Sequence, residues 1–270
     1  MVLRLPDVDS RRSVTLSFDD DRHVATLTLN RPEALNAISR ELAADLRQAC
    51  DVLATRPEVW TVIVTGAGQR AFCAGADLKE RRGLSVAERT AHTEAIEAAA
   101  EALAALPMPT IAAIRGFALA GGAELAIACD LRVAADDATL GFPEVKIGIF
   151  PGAGGALRLP RIVGSGAARD LLFTGRSVTA EEAFRLGLVD RLSPPASVLE
   201  TASALATSIA ANAPLAVRAV KRALADSHAQ PFEKARRAVN ALRSGLDTTE
   251  DYEEGLAAFA ERRVPRFTGR

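Results

Sequence analysis

The feature that most constrains the fold is the order of its elements, because strand-like and helix-like patterns alternate along most of the chain. "HVATLTL" places Ala25, Leu27 and Leu29 on one face, which is the two-residue period of a strand, after the turn-like "DDDR". Ser39 then precedes apolar residues at helical spacing, so it can cap a helix. Those apolar residues are Leu42, Leu46, Ala49, Cys50 and Leu53. Recurring strands, glycine-bearing loops and helices predict an α/β core of repeated ββα-like units.

The pattern changes after about residue 195. Strands are predicted at "VWTVIVT", "TIAAIRG" and "LRVAA", and helices begin at the cap pairs Ser85 with Glu88 and Thr179 with Glu182. The first of these two helices is expected to run to Leu106. After about residue 195, alanine-rich helical stretches dominate. We therefore predict a strand-rich core over 1–195 and a helical segment over 196–270.

Composition excludes several classes of protein. The 270 residues are 49% hydrophobic and carry a formal net charge of -1, which argues against wholesale electrostatic binding to nucleic acid or membrane. The three cysteines form no CxxC pair, so neither a disulfide framework nor a metal site is expected. "MVLRLPDVDSRR" lacks the apolar core of a signal peptide, and no apolar run reaches membrane-spanning length. We interpret the protein as cytoplasmic.

Three familiar catalytic or cofactor motifs are poorly supported. The stretch "GAGQRA" formally matches a dinucleotide fingerprint, but another loop, "FCAGAD", follows it where a helix should open. No glycine cluster is followed by the lysine of a P-loop, and no Gly-x-Ser-x-Gly elbow presents a serine. His23, His92 and His228 are isolated from one another, so structural or surface roles are expected for them.

A lone carboxylate lies in the apolar stretch "GFALAGGAELAIACD". Between Arg115 and Asp130, Glu124 is the only charged residue, and burial disfavours its ionised form. A helix starting near Gly121 or Gly122 would point free main-chain N–H groups out of its N-terminus. Together with an N–H group from "FCAGAD", it could form an oxyanion hole, although two tight turns explain the spacing equally well.

A second carboxylate lies in "LGFPEVKIGIFPGAGG". Glu144 follows a proline and is surrounded mostly by apolar residues. Two glutamates in apolar loops are candidates for general acid/base catalysis with raised pKa values. Each glutamate alone is also consistent with a surface acid or a helix cap.

Five stretches, in order, resemble the enoyl-CoA hydratase/isomerase (crotonase) superfamily. They are "NRPEALNA", "AFCAGADLKE", "GFALAGGAELAIACDLRVA", "LGFPEVKIGIFPGAGGALRLPRIVG" and "EGLAAFAERRVPRF". The resemblance runs from about His23 to the C-terminus. It implies a crotonase-like spiral core of ββα units and a C-terminal α-helical segment used in trimer formation. It also implies a homotrimer or dimer of trimers that acts on acyl-CoA thioesters, with no separate cofactor because coenzyme A is part of the substrate.

The resemblance assigns roles to individual residues. Ala74 and Gly121 resemble the two main-chain oxyanion donors of the family, and Glu124 and Glu144 match the two acids of its hydratases. Glu124 would help to activate a water molecule, while Glu144 would exchange the proton at the α-carbon. Positions that resemble the lining of the coenzyme A pocket are Ala34, Leu35, Gly75, Ala76 and Asp77. Candidate partners of the coenzyme A phosphates are Arg31, Lys79 and Arg263.

Because both glutamates are present, the resemblance favours an enoyl-CoA hydratase, a lyase of fatty acid metabolism. A Δ3,Δ2-enoyl-CoA isomerase, which can work with one acid in the Glu144 region, or another acyl-CoA enzyme of the family is the alternative. A different class is RNA binding through the basic stretch "RAVKRALADSHAQPFEKARRAVNALR". An apolar helix face accounts for the same stretch and leaves Arg218, Lys221 and Arg222 in solvent or near coenzyme A.

Overall fold

The computed structural model describes residues 12–270, without the side chains of residues 228 and 229. The first eleven residues lie outside the described residues. They include most of the stretch on which the prediction of no signal peptide rests, and they form the N-terminal end of the predicted core. The side chain of His228 lies outside them as well.

The larger of two sheets has six strands and forms the centre of the molecule. Its first two strands pair antiparallel as the predicted hairpin, and the others are added in parallel. In spatial order the strands are β1 (Val14–Asp19), β2 (Val24–Leu29), β3 (Thr61–Gly66), β5 (Thr110–Ile114), β7 (Leu131–Ala135) and β10 (Arg191–Ser193). The strands β3 and β5 are buried on both faces, which is typical of parallel sheets covered by helices.

The smaller sheet has four short strands that alternate along the chain with those of the larger sheet. They are β4 (Ala71–Cys73), β6 (Phe117–Leu119), β8 (Thr139–Gly141) and β9 (Ser177–Thr179). The pairs β3–β4, β5–β6 and β7–β8 each place one strand in each sheet, and a helix follows each pair. The predicted ββα repeat is therefore present. The stretch "GAGQRA" leads from β3 into β4 and opens no helix, as expected for a protein without the dinucleotide fold.

Local sequence signals start several helices where they were predicted. Ser39 accepts the N–H of Leu42, and Ser85 with Glu88 forms a complete capping box. Thr179 accepts the N–H of Glu182. The helix after Ser85 ends at Ala104, two residues before the predicted end. The helices are α1 (Arg40–Ala54), α2 (Leu78–Arg82), α3 (Val86–Ala104), α4 (Gly121–Ala128), α5 (Gly155–Thr174), α6 (Ala180–Arg185), α7 (Val198–Ala210), α8 (Pro214–Ala229), α9 (Phe232–Gly245) and α10 (Glu250–Glu261).

After β10 the described chain is helical, as predicted. The helix α7 packs against the larger sheet and buries Ala202 and Ala206, so it belongs to the packed core. The predicted boundary between residues 195 and 196 remains a prediction.

Two basic residues of α8 are not in solvent. Arg218 donates to the carbonyl of Val59 at 3.0 Å, and Lys221 Nζ lies 2.7 Å from Asp130 Oδ2. These two side chains are therefore partly buried against the sheet loops and not freely solvated, and their proximity to coenzyme A stays a prediction. Arg222 is exposed, as expected.

Candidate active site

The small-residue loop after β4 touches the N-terminus of α4. Gly75 has φ 92°, and a Cβ there would lie 2.8 Å from Ala120 Cβ and 3.3 Å from Gly121 N. A larger residue would therefore push the two segments apart, and its backbone would be strained. Glycine at position 75 lets the main chain of "FCAGAD" approach the first turn of α4.

The amide of Ala74 is already engaged within the protein. Its N–H donates to the carbonyl of Leu35 at 3.1 Å. An N–H group that is bonded internally is not available to a substrate oxygen. The assignment of Ala74 as an oxyanion donor is therefore wrong, because this residue faces the segment around Leu35.

The main-chain N–H group of Ala76, two residues later, has the orientation that an oxyanion donor requires. Ile38 N–H donates to the carbonyl of Gly75 at 2.8 Å, and Asp77 N–H donates to the carbonyl of Ile38 at 2.9 Å. In such a parallel bridge, Ala76 lies between the two residues that bond to Ile38 and turns its own N–H away from Ile38. Among the described residues, the Ala76 N–H has no hydrogen-bond acceptor. The sequence carries no signal that separates Ala74 from Ala76, since both are alanines of one loop.

Gly121 supplies the second amide. It is the first residue of α4, where main-chain N–H groups have no intrahelical acceptor. A Cβ on Gly121 would lie 3.8 Å from Ala76 N, so the two amides are neighbours. Two free N–H groups from separate segments thus lie side by side, which is the arrangement of an oxyanion hole.

Glu124 is held in one orientation by the loop before α5. Its carboxylate is buried, and Oε1 accepts the N–H of Ala153 and the N–H of Gly155, each at 2.8 Å. Burial raises the pKa of Glu124, and the two N–H donors oppose that rise. Because both donors bind Oε1, this loop leaves Oε2 without a hydrogen bond.

Glu144 lies in a short 3₁₀ turn, Pro143–Ile147, and is also buried. Neither of its carboxylate oxygens has a hydrogen-bond partner among the described residues. Burial raises the pKa of Glu144 to about 7, and the nearby charge of Glu124 adds to the rise. A buried acid with this pKa can hold and release a proton near neutral pH.

One cavity of about 600 Å³ brings these groups together. Its wall includes Ala76 and Gly121 and both glutamates. Ala74 also contributes to the wall, although its amide does not point into the cavity. Much of the remaining wall is apolar and includes Ile96 and Phe150. The arrangement offers an oxyanion site beside two carboxyl groups in a largely apolar cavity.

Several predicted substrate-binding residues are not part of the wall of this cavity, and their contact with coenzyme A stays a prediction. Ala34, Leu35, Gly75 and Asp77 do not line this cavity. The carboxylate of Asp77 caps α2 and pairs with Arg31 Nη2 at 3.0 Å, so both side chains of that pair are engaged. Arg263 pairs with Glu254 at 2.6 Å. Lys79 is exposed.

Other chemistry-bearing residues of the described chain are dispersed. Within residues 12–270, no three His, Cys, Asp or Glu side chains are grouped as metal ligands would be. Cys50, Cys73 and Cys129 are buried free thiols, and burial raises the pKa of each to about 12. Over the same range, every helix is too short or too polar to cross a lipid bilayer.

Comparison with known proteins gives consistent matches over nearly the whole chain. The family model of enoyl-CoA hydratase/isomerase matches residues 19–270. A putative enoyl-CoA hydratase/isomerase of Bacillus subtilis is 43% identical over 249 residues, covering 92% of this chain and 96% of the relative. A short-chain-enoyl-CoA hydratase of Clostridium acetobutylicum is 38% identical over 246 residues, covering 91% and 94%. The crystal structure of an enoyl-CoA hydratase from Bacillus anthracis superposes with a TM-score of 0.92 at 39% identity, covering 96% of this chain and 100% of that one.

Proposed function

The chain belongs to the enoyl-CoA hydratase/isomerase family and is an enoyl-CoA hydratase, a hydro-lyase, and we propose which of its residues carry the reaction. The reaction adds water reversibly across the 2,3 double bond of a trans-2-enoyl-CoA thioester. In the proposal, the amides of Ala76 and Gly121 hold the thioester oxygen. Glu124 acts at carbon 3 of the double bond and Glu144 acts at carbon 2.

The two amides stabilise the negative charge that develops on the thioester oxygen. When the oxygen of water bonds to carbon 3, electron density moves to the thioester oxygen and an enolate forms. Two preorganised N–H donors offset this charge, and one such donor contributes about 3 kcal/mol to the barrier in known cases. The proposal replaces Ala74 by Ala76, because only the latter has a free N–H.

Each glutamate transfers one proton during the addition of water. Glu124, oriented by Ala153 and Gly155, accepts a proton from water as its oxygen bonds to carbon 3. Glu144, with its raised pKa, donates a proton to carbon 2 of the enolate. One water molecule is consumed, and the two carboxyl groups exchange their protonation states until solvent resets them.

The observation that carries the proposal is that Glu144, with its unpartnered carboxyl group, and Glu124, with its anchored carboxylate, line the same cavity as Ala76 and Gly121. The test follows the absorbance of the conjugated trans-2-enoyl-CoA, which is lost on hydration. We expect Glu124→Gln and Glu144→Gln each to lower kcat by at least about 100-fold. Glu94→Gln, on the exposed face of α3, is the control and should retain wild-type turnover. Near-normal turnover in both active-site variants would reject the assignment.

The isomerase alternative makes a different prediction for Glu124. A Δ3,Δ2-enoyl-CoA isomerase moves one proton between carbons and can use a single acid. If Glu124→Gln converted a 3-enoyl-CoA to its 2-enoyl isomer as fast as the unmodified protein, isomerisation through Glu144 would be the better description.

The assembly and location of the enzyme are further parts of the proposal. The resemblance to the family supports a homotrimer or a dimer of trimers in the cytoplasm, with no resident cofactor. Sedimentation of the full chain tests the assembly. RNA binding is disfavoured, because Arg218 and Lys221 of the basic stretch are bonded to the core. Retention of RNA on a filter at physiological salt would revive it.

A further inference from the structure

An arginine lines the cavity that contains the two glutamates. Arg81, on α2, contributes to the cavity wall and is partly buried. Its Nη2 donates to Thr93 Oγ1 at 2.9 Å, and that hydroxyl donates to the carbonyl of Arg89 at 3.0 Å. The guanidinium is therefore held by α3 in a defined position, with further N–H groups left over.

Arg81 lacks an acidic partner in the described part of the chain. No carboxylate of residues 12–270 forms a salt bridge with it. Arg31, Arg132 and Arg158 each pair with a carboxylate. Arg115 and Arg218 are also partly buried without a salt bridge, but neither lines this cavity. A guanidinium that lines a substrate cavity and has no carboxylate partner in the protein can bind an anionic group of the ligand.

The threonine that holds this guanidinium lies close to the loop that anchors Glu124. Thr93 Cγ2 would lie 3.6 Å from a Cβ on Gly152, the residue before Ala153. Ala153 holds Glu124, so the threonine that positions Arg81 packs against the loop that positions the catalytic acid. With the thioester oxygen at Ala76 and carbon 3 beside Glu124, as proposed above, an acyl chain that continues past Glu124 would approach Arg81. Lys146, on the turn that carries Glu144, adds a second cation to the cavity.

We propose that the acyl chain of the preferred substrate ends in a second carboxylate, so that the substrate is a 2-enedioyl-CoA, and that Arg81 binds this carboxylate. The inference rests on the proposed function, because the site of water addition sets where the acyl chain begins. A planar guanidinium matches a carboxylate through paired, charge-assisted hydrogen bonds. An alkyl tail in the same place would leave the cation desolvated and unpaired, so the site discriminates against it.

The experiment compares two matched series of substrates. Values of kcat/KM are measured for trans-2-enedioyl-CoA esters and for trans-2-enoyl-CoA esters of equal chain length. We expect the unmodified enzyme to prefer the dicarboxylic series by at least about 10-fold at its best chain length. Arg81→Met should lower the ratio of the two kcat/KM values by about 10- to 100-fold, and Arg81→Lys should lower it less. Arg82→Met, on the exposed side of the same helix, should leave the ratio unchanged.

A binding measurement on the unmodified enzyme keeps the test independent of any variant. Glutaryl-CoA and valeryl-CoA have five-carbon saturated acyl chains and differ in the terminal carboxylate. We expect calorimetry to show tighter binding of glutaryl-CoA, with a difference that shrinks at high salt.

Three outcomes would overturn the inference. The first is a wild-type preference for monocarboxylic esters, and the second is equal binding of the two saturated esters. The third is an equal loss on both substrate series in Arg81→Met, which would assign Arg81 to the coenzyme A moiety. Failure to hydrate either series is a separate result, because it contradicts the proposed function itself.

Discussion

The imidazole of His92 donates a hydrogen bond from Nε2 to the main-chain carbonyl of Ile38 across 3.0 Å. The acceptor is a carbonyl, so Nε2 carries the proton in this contact. The same carbonyl accepts the N–H of Asp77 at 2.9 Å, and Ile38 N–H reaches the carbonyl of Gly75. A fully buried histidine on α3 therefore supports the segment that turns the Ala76 amide toward the cavity.

Removing this support should affect turnover more than substrate binding. His92→Leu loses a bond with a net contribution of about 1 kcal/mol, and we expect kcat to fall about fivefold with little change in KM. His92→Gln keeps an N–H donor and should retain most of the activity. Steady-state kinetics of both variants tests this, and equal losses in the two would show that the hydrogen bond does not matter.

A methyl group at position 155 should displace the anchored glutamate. A Cβ on Gly155 would lie 2.8 Å from Glu124 Oε1, a contact that the carboxylate can relieve only by moving. We expect Gly155→Ala to lower kcat by about 10-fold or more, since small displacements of catalytic groups are costly. Gly166→Ala, in the same helix with open space around it, should keep full activity. Wild-type kcat in Gly155→Ala would mean that the orientation of Glu124 is not critical.

Ala120 adopts a strained backbone at the mouth of the oxyanion site. Its φ of 49° and ψ of -128° are conformations that residues with a Cβ rarely adopt, at a cost of about 1–3 kcal/mol. Ala120→Gly should therefore raise the free energy of unfolding by about 1 kcal/mol. Ala123→Gly, inside α4, should lower it by about 1 kcal/mol. Urea unfolding of both variants gives the comparison, and destabilisation by Ala120→Gly would argue against stored strain.

The raised pKa of Glu144 makes stability depend on pH. The folded protein binds this proton up to about pH 7, whereas the unfolded carboxyl group releases it near its ordinary pKa of 4.5. Between these two values the folded state holds more protons, so the contribution of Glu144 to stability falls as pH rises. Above the window the ionised buried carboxylate costs up to about 3 kcal/mol.

Glu144→Gln cannot ionise, so it isolates this effect. We expect the variant to be more stable than the wild type at pH 8 and nearly equal to it at pH 4, as measured by urea unfolding. Glu94→Gln, at an exposed position, should show no such pH-dependent difference. A constant difference between Glu144→Gln and the wild type from pH 4 to pH 8 would contradict the raised pKa.

Much of the fold could be predicted from local patterns. Ser39 and Ser85 start their helices, and Ala25, Leu27 and Leu29 form the buried face of β2, as predicted. Caps and periodicity act over a few residues, so the chain expresses them without reference to its tertiary partners. The sequence also identified both glutamates as candidate catalytic acids, because an acid in an apolar loop is unusual.

The free amides could not be predicted from such patterns. Ala74 and Ala76 are equivalent by sequence, yet Leu35 binds the amide of Ala74 while the bridge to Ile38 leaves that of Ala76 free. The carboxylate of Asp77 caps α2 and pairs with Arg31, contacts that its place in the loop did not predict, and its role in substrate binding stays a prediction.

By itself, the sequence determined where the helices and strands begin, which of their faces are apolar and which two acids are set in apolar loops. These properties depend on near neighbours and on residue type. Only the tertiary structure decided that the amide of Ala76 is free, that Glu124 is anchored by the loop before α5, and that Arg81 shares their cavity. The physical reason is that a hydrogen bond or an unpaired charge is defined by its partners, and those partners come from distant segments that meet only in the folded chain.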